Sequence, residues 1–573
     1  MTFASILQAA QDAYVDGEHQ KSLPLYLRLL QECDGQPIEL VAKLWNQVGI
    51  LQCQLGENYA GIGSFQHAIN LLSGVTTENL FLAQVHFNTG LTQRSLGLTQ
   101  DAIDSLVSAE QLSPDYADAL LVLGQLYFEK GHNIHARQCF ERLTTLQPNN
   151  PSNWLTLGYI MTLNGDYNDA LPALNEAERL DPHSVDACFY IAESLRQTGR
   201  YEDSLPYYQR LLPVAMERPA AMLGYSETLL SLGRLEEAWD AFEFRRIARF
   251  GTWERHLLKN WDGNPSPDKN VLIYGEDGVG TDIMFSSCLS EAIRDVGHCV
   301  VECDGSLHKL FARSFPQATI VPQTLTTLGE NGETEIEIGG VRVSEQLAIG
   351  SLPRYYRRKM TDFPIRSGYL LPDASIVAGW RKRFAAIGRL PKIGFLWQGS
   401  GTDEAADLLA LPTELVTQLV RNERRASWIC LQRGNAQQTF ETMRHGLGNV
   451  HLFGEAFVYD IDYLAALLAS LDLIITPAGH IAHLAGSLGT RTWLLLPNNA
   501  AWRWSLAGER TPWHPSVKIF RRAEQESWKT LFERVTNELE TFLLRTANEN
   551  WEEESIIKFP FRQATSRELE RAA

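Results

Sequence analysis

Small, apolar and aromatic residues recur through the first 250 positions with a period of 34. Glycines stand at Gly97, Gly131, Gly165, Gly199 and Gly233. Seven residues before each is another small residue: Gly90, Gly124, Gly158, Ala192 and Ser226. A large residue follows in step at Leu106, Phe140, Tyr208 and Phe242, and prolines fall at Pro114, Pro148 and Pro182. The pattern predicts pairs of antiparallel helices. Small residues permit a close helix crossing, a large residue fills the gap, and glycine ends the first helix in a left-handed turn. After residue 260 the period changes. Short apolar runs at 271–274, 299–302, 393–397, 427–431, 473–476 and 492–496 alternate with helical patterns at 281–296, 411–421, 463–471, 481–488 and 526–544. That alternation predicts parallel sheets with crossover helices, in two Rossmann-like halves around a cleft.

The 34-residue register resembles the tetratricopeptide repeat. Weaker copies carrying Gly17 and Gly56 bring the array to about seven repeats, with an insertion near residues 73–82. The expected organisation is a solenoid over 1–250, a linker over 251–269, Rossmann-like halves over 270–372 and 373–547, and a tail over 548–573. The first helices of the repeats line a groove that binds a protein or peptide. Its candidate contacts are Phe128, Tyr159, Phe189 and Glu193, with Gln125 and Glu227 beside them. Self-association or docking onto the second half are the alternatives for this face.

Charge sharpens the division. The formal net charge is −18, which disfavours a nucleic-acid-coating protein. Residues 1–250 hold 16 Lys and Arg against 30 Asp and Glu, while the remainder holds 35 against 39. The acid therefore sits on the repeats, and the second half is near neutral. Eight scattered cysteines make no disulfide scaffold, and Cys299 and Cys303 read as buried strand residues. The absence of a basic N-terminal leader and of a long apolar run predicts a cytoplasmic protein.

Several motifs sit at strand ends of the second half. Gly275-Glu-Asp-Gly278-Val-Gly280-Thr-Asp282 follows the first strand and opens a helix, a place suited to anions or simply to turning the chain. Trp397-Gln-Gly-Ser-Gly401 follows a strand, as does Thr476-Pro-Ala-Gly479-His480-Ile-Ala-His483. The two histidines share a helix face; without an evident third ligand, donation to a phosphate is preferred over zinc. Asp460-Ile-Asp462 precedes a helix, and capping accounts for it better than metal binding. The basic runs Arg354–Lys359 and Arg381–Arg383 read as solvated linker charge or as phosphate attraction.

The stretch Leu471–Thr476, His483–Gly489, Trp493–Pro497, Trp502-Arg-Trp504, Thr511–Pro515 and Ile519–Arg522 resembles bacterial repeat proteins ending in a heptosyltransferase-like GT-B glycosyltransferase region, such as repeat-bearing flagellin glycosyltransferases. The resemblance implies an all-α solenoid followed by an α/β GT-B module. It implies sugar transfer from a nucleotide donor, CMP-linked in one version, to Ser or Thr of a flagellin-like acceptor held by the repeats, without metal or cofactor. In that scheme Asp282 is the base, with Asp277 and Glu276 behind it. Gln398, Gly399, Ser400, Gly401, Gln432, Gly479, His480, His483 and Arg503 hold the donor. The chain departs from its relatives at Ala478, Thr281 and Ala501, where they usually carry Asp-Thr, Gly-Asp and Asp motifs. A scaffold that has lost catalysis and a lipopolysaccharide-type transferase are the alternatives.

Overall fold

A computed structural model describes residues 2–73, 79–251, 258–276, 278–323, 335–366, 368–398, 410–432, 440–441, 444–454, 459–505 and 508–548. Two compact units divide the chain, Met1–Pro213 and Val214–Ala573.

The first unit is six helical hairpins in series: Phe3–Val15 with His19–Gln31, Ile38–Gln54 with Asn58–Leu72, Asn79–Ser95 with Thr99–Leu112, Ala117–Glu129 with Asn133–Leu146, Pro151–Leu163 with Tyr167–Leu180, and Val185–Gln197 with Tyr201–Arg210. The glycine that ends each first helix takes a positive φ, from 74° at Gly97 to 85° at Gly56. An L side chain resists that conformation, which explains the 34-residue glycine register. The preceding small residue sits at the helix crossing. A Cβ at Gly124 would lie 2.9 Å from Phe140 Cε2, and one at Gly158 would lie 2.5 Å from Leu174 Cγ. Phe140 and Leu174 are thus received by a backbone surface without a side chain of its own. The helix after the expected insertion starts at Asn79, and residues 74–78 lie outside the described ones.

A seventh hairpin, Pro219–Ser231 with Leu235–Phe242, keeps the repeat pattern, including Gly233 at φ 73°. It nevertheless belongs to the second compact unit. The boundary between compact bodies therefore falls at 213, well before the 250 drawn from the repeat register. The cause lies in two aromatic side chains. Trp239 packs edge-on against Trp502 and Trp513 at ring separations of 6.0 and 6.4 Å, and its Nε1 donates to Arg357 O at 2.9 Å. Phe242 meets Phe285 and Trp502 at 6.2 and 5.7 Å. All are buried, so this helix closes the core of the α/β unit.

The α/β unit holds two parallel sheets. The first contains β1 (Lys259–Asn260), β2 (Ser266–Tyr274), β3 (Val296–Cys303), β4 (Thr319–Pro322) and β7 (Glu345–Ala348) in the order β1-β7-β2-β3-β4. A small antiparallel hairpin, β5 (Ile336–Ile338) and β6 (Val341–Val343), lies beside it. The segment 251–269, expected to be a linker, supplies β1 and the start of β2, because Trp261 is buried and β1 pairs with β7. The second sheet contains β8 (Lys392–Phe395), β9 (Ser427–Cys430), β10 (Val450–His451), β11 (Leu473–Pro477), β12 (Thr492–Leu496), β13 (Arg510–Thr511) and β14 (His514–Arg521). Its order is β10-β9-β8-β11-β12-β14-β13, with only β13 antiparallel. Apart from that edge strand this is the doubly wound order 3-2-1-4-5-6, whose strand order reverses between β8 and β11. In the first sheet the reversal falls between β2 and β7. The expected helix over 281–296 is broken into Val279–Phe285, a 3-10 turn at Ser286–Cys288, and Leu289–Asp295.

The halves are laced together. Arg313 of the first half makes a bidentate pair with Asp462 of the second at 2.8 and 2.8 Å, and donates to Leu371 O at 2.9 Å. The amides of Tyr369 and Leu370 both donate to Ser487 O, at 2.7 and 3.0 Å. The three arginines of the basic run 354–359 are likewise paired. Arg354 pairs with Asp240 at 2.7 Å, Arg358 with Glu236 at 3.3 Å, and buried Arg357 with Glu291 at 2.8 Å.

Candidate functional site

Because the strands are parallel, their carboxyl ends share one side of each sheet, and ligand sites of such folds open at the strand-order reversal. At the reversal of the first sheet stand Gly275 and Glu276, after β2. At that of the second stand Trp397 and Gln398, after β8, and Ala478, Gly479 and His480, after β11. The helices that leave the two turns, Val279–Phe285 and His480–Ser487, meet. A Cβ at Gly280 would lie 3.2 Å from His480 Cα and 3.5 Å from His483 Cδ2. A side chain there would crowd the His480 backbone, so the two sequence motifs form one locus.

The carboxylates of the first turn are engaged. Asp282 is buried and curls back on its own loop, where the Glu276 amide donates to Oδ1 at 3.3 Å. A Cβ at Gly275 would lie 2.4 Å from Asp282 Oδ2, which accounts for the glycine. Glu276 receives Arg245 Nε at 3.1 Å and Nη2 at 2.6 Å, with both side chains buried. Arg245 also donates to Glu243 at 3.0 Å and to Ser351 Oγ at 2.9 Å. This network ties the end of the seventh hairpin to the first glycine turn. The motif register gave no sign of it, since Arg245 falls past the last repeat position. Asp277 lies outside the described residues.

On the donor side the expected set divides. Gly479 is the N-cap of its helix, and half-buried His480 begins it beside Gly280. His483, expected to face a phosphate, instead points into the protein. Its Nδ1 lies 3.1 Å from His514 Nε2 and its ring stacks on Trp504 at 4.4 Å. Burial, reinforced by His514, Arg503 and His480, pushes its pKa well below the usual histidine value. Burial alone brings His514 down to about 3. Both rings are therefore neutral at physiological pH, and His483 shapes the turn by packing; it is the burial of its partner His514 that withdraws it. Arg503 lies over the Trp502 ring at 4.9 Å. Gln432 accepts from the Trp397 and Gln398 amides at 3.1 and 3.0 Å. Gly399, Ser400 and Gly401 lie outside the described residues.

Asp460 caps the helix Ile461–Leu468, accepting from the Asp462 and Tyr463 amides at 2.8 and 3.2 Å, as expected from sequence. Cys299 and Cys303 are buried, their thiols pushed up to about 12 by burial. Among the described residues no group of three or more His, Cys, Asp or Glu is placed to hold a metal, and no helix is long and apolar enough to cross a membrane.

Within the repeats, Phe128, Tyr159 and Tyr190 form a ladder with ring separations of 5.5 and 4.8 Å, and Phe189 joins it at 5.2 Å. Tyr190 escaped the sequence pattern because it lies one residue past the expected Phe189. Glu193 is not an open groove residue. It pairs with Arg196 and accepts from Gln197 at 2.8 Å and from the Tyr208 hydroxyl at 3.0 Å. Gln125 accepts from Arg94 at 2.9 Å.

A helical repeat array and a GT-B-type pair of sheets with converging glycine turns define the class of this protein. Residues 94–157, 164–216 and 192–243 match the tetratricopeptide repeat family. The chain is 28% identical to Protein FlbA of Caulobacter vibrioides over 407 residues, covering 68% of this chain and 67% of that protein. It is 23% identical over 162 residues to the probable UDP-N-acetylglucosamine–peptide N-acetylglucosaminyltransferase SPINDLY of Hordeum vulgare, covering 27% of this chain and 17% of that one. Among solved structures it resembles the Escherichia coli ADP-heptose lipopolysaccharide heptosyltransferase II, at 13% identity and a TM-score of 0.35, over 48% of this chain and 99% of that chain.

Proposed function

We propose that the chain is a glycosyltransferase that moves a sugar from a nucleotide donor to a Ser or Thr hydroxyl of a protein held by the repeats, flagellin being the acceptor suggested by the resemblance. The convergence of the two glycine turns at Gly280 and His480 carries this reading. It brings the glycine turns at the strand-order reversals of both sheets together. An anionic donor suits such a place, because amides at helix starts point outward and stabilise a departing phosphate. His480 and the Gly479 amide would face that phosphate, with Gln398 and Gln432 along the β8 and β9 exits. The aromatic ladder of Phe128, Tyr159, Phe189 and Tyr190 would hold the acceptor chain, raising the local concentration of its hydroxyls. Asp282 would accept the hydroxyl proton only after leaving its bond to the Glu276 amide.

That engagement favours a second reading, a scaffold without turnover, since Glu276 is neutralised by Arg245 and Asp282 serves its own loop. Co-expression with a flagellin and intact-mass measurement separates the two. The enzyme reading predicts discrete sugar mass increments that His480→Ala and Asp282→Ala reduce. Identical unmodified masses with all three proteins would leave the scaffold.

A further inference from the structure

Gln432 stands at the carboxyl end of β9, half-buried, next to the exit of β8. Two backbone amides, Trp397 at 3.1 Å and Gln398 at 3.0 Å, converge on one terminal atom of its side chain. Both are donors, so chemistry fixes that atom as the carbonyl Oε1. The Nε2 amino group must then point the opposite way. It has no hydrogen-bond partner among the described residues, and it is not sealed in the core. Those amides cannot be met by the ladder, because Trp397 and Gln398 lie just past the last β8 residue paired with β9, Phe395. An interior strand end with two open donors and a side chain spanning them is a built device, not an incidental surface contact.

We propose that Gln432 is a positioning and recognition residue of the donor site: its carbonyl staples the β8 exit, and its amino group presents two N–H donors to an acceptor atom on the nucleoside part of the donor. This rests on the donor-site reading above. The strand order supports the assignment. The reversal between β8 and β11 is where a phosphate group sits in this fold type, and β9 lies on the far side of β8 from it. Adjacent strands are about 4.8 Å apart, so the β9 exit lies about two strand spacings, or roughly 10 Å, from β11. That offset matches the ribose or base of a nucleotide whose phosphates lie at the Gly479 turn. Because a carboxylate would accept the same two amides but could donate nothing, the two halves of the role can be separated.

The test uses the full chain and the variants Gln432→Glu and Gln432→Leu. Hydrogen exchange resolved to the Trp397 and Gln398 amides reads the staple, and calorimetric titration with UDP, GDP, ADP and CMP reads the recognition. The expected result is that Gln432→Glu keeps wild-type exchange at both amides but binds the nucleotide preferred by wild type at least tenfold more weakly. Gln432→Leu should exchange both amides at least tenfold faster, with exchange along β12 unchanged to show that the loss is local. Wild-type exchange in Gln432→Leu would overturn the staple. Wild-type nucleotide affinity in Gln432→Glu would overturn the recognition role. If none of the four nucleotides binds the wild-type chain, the recognition role and the donor-site reading both fall, while the exchange data decide the staple independently.

Discussion

Trp239 sits in a repeat by sequence and in the α/β core by packing, so its removal asks which assignment governs stability. Its side chain is 2% exposed, touches Phe242, Trp502 and Trp513, and donates to Arg357 O. Truncating a buried Trp to Ala costs about 3–5 kcal/mol, and the stranded Arg357 carbonyl adds about 1 kcal/mol. Cooperative unfolding entropy is about 2.1 cal/mol/K per residue, or about 0.6 kcal/mol/K for the roughly 290 described residues of the second unit. A loss of about 4–6 kcal/mol therefore lowers its melting temperature by about 7–10 °C. Calorimetry of the full chain is the assay, with each transition assigned by scanning Met1–Pro213 alone. In Trp239→Ala the transition of the α/β unit should move down and that of the repeats should stay. A shift confined to the repeat transition, or none beyond 1 °C, would refute the placement of the seventh hairpin. The same logic predicts that deleting residues 1–213 leaves a folded α/β unit, while deleting 1–250 strips Trp239, Phe242 and Arg245 from it and yields aggregated protein on size-exclusion chromatography.

Further outcomes follow from the buried charges and the close contacts. Since folded His514 stays neutral down to about pH 3 while the unfolded side chain protonates below about 6.5, stability is full above 6.5 and falls as pH drops toward 3, by about 1.4 kcal/mol per unit from this residue. Unfolding free energies from urea titrations at pH 7.0 and 5.5 should therefore differ by about that much less in His514→Leu than in wild type. Arg313→Met should destabilise the α/β unit by about 2–4 kcal/mol in urea, because it strands the Asp462 carboxylate, which is mostly buried between the halves. Gly124→Val should cost about 1–3 kcal/mol or more, read by the thermal transition of the repeats, because the new side chain must displace Phe140.

The repeats were legible because their constraint is periodic. One glycine conformation and one close crossing recur every 34 residues, and Gly17 and Gly56 obey the rule even where the rest of the copy is weak. The doubly wound sheet was legible as strand–helix alternation. Its strand order was not, because order depends on pairings between β8, β9 and β11 that are far apart in the chain. At the site, Gly280 and His480 were found as separate motifs; their contact is purely tertiary. The surroundings of His483 are tertiary too. Its neighbour in sequence suggested a shared ligand-facing side, whereas its partner, His514, comes from a strand 31 residues later. Trp239 and Arg245 were hidden by their own local pattern, which continues the repeat register while their side chains serve another core.

We propose above that the turns meeting at Gly280 and His480 make one site acting on an activated sugar. Release of nucleotide from a panel of nucleotide sugars, including UDP-, GDP-, ADP- and CMP-linked donors, by wild type and by Gly280→Val, tests it most directly. Wild type should release nucleotide from one preferred donor, and Gly280→Val should lose that release with its circular dichroism spectrum retained, because a side chain there crowds the His480 backbone. Background release with every donor by both proteins, or equal selective release by both, would contradict it.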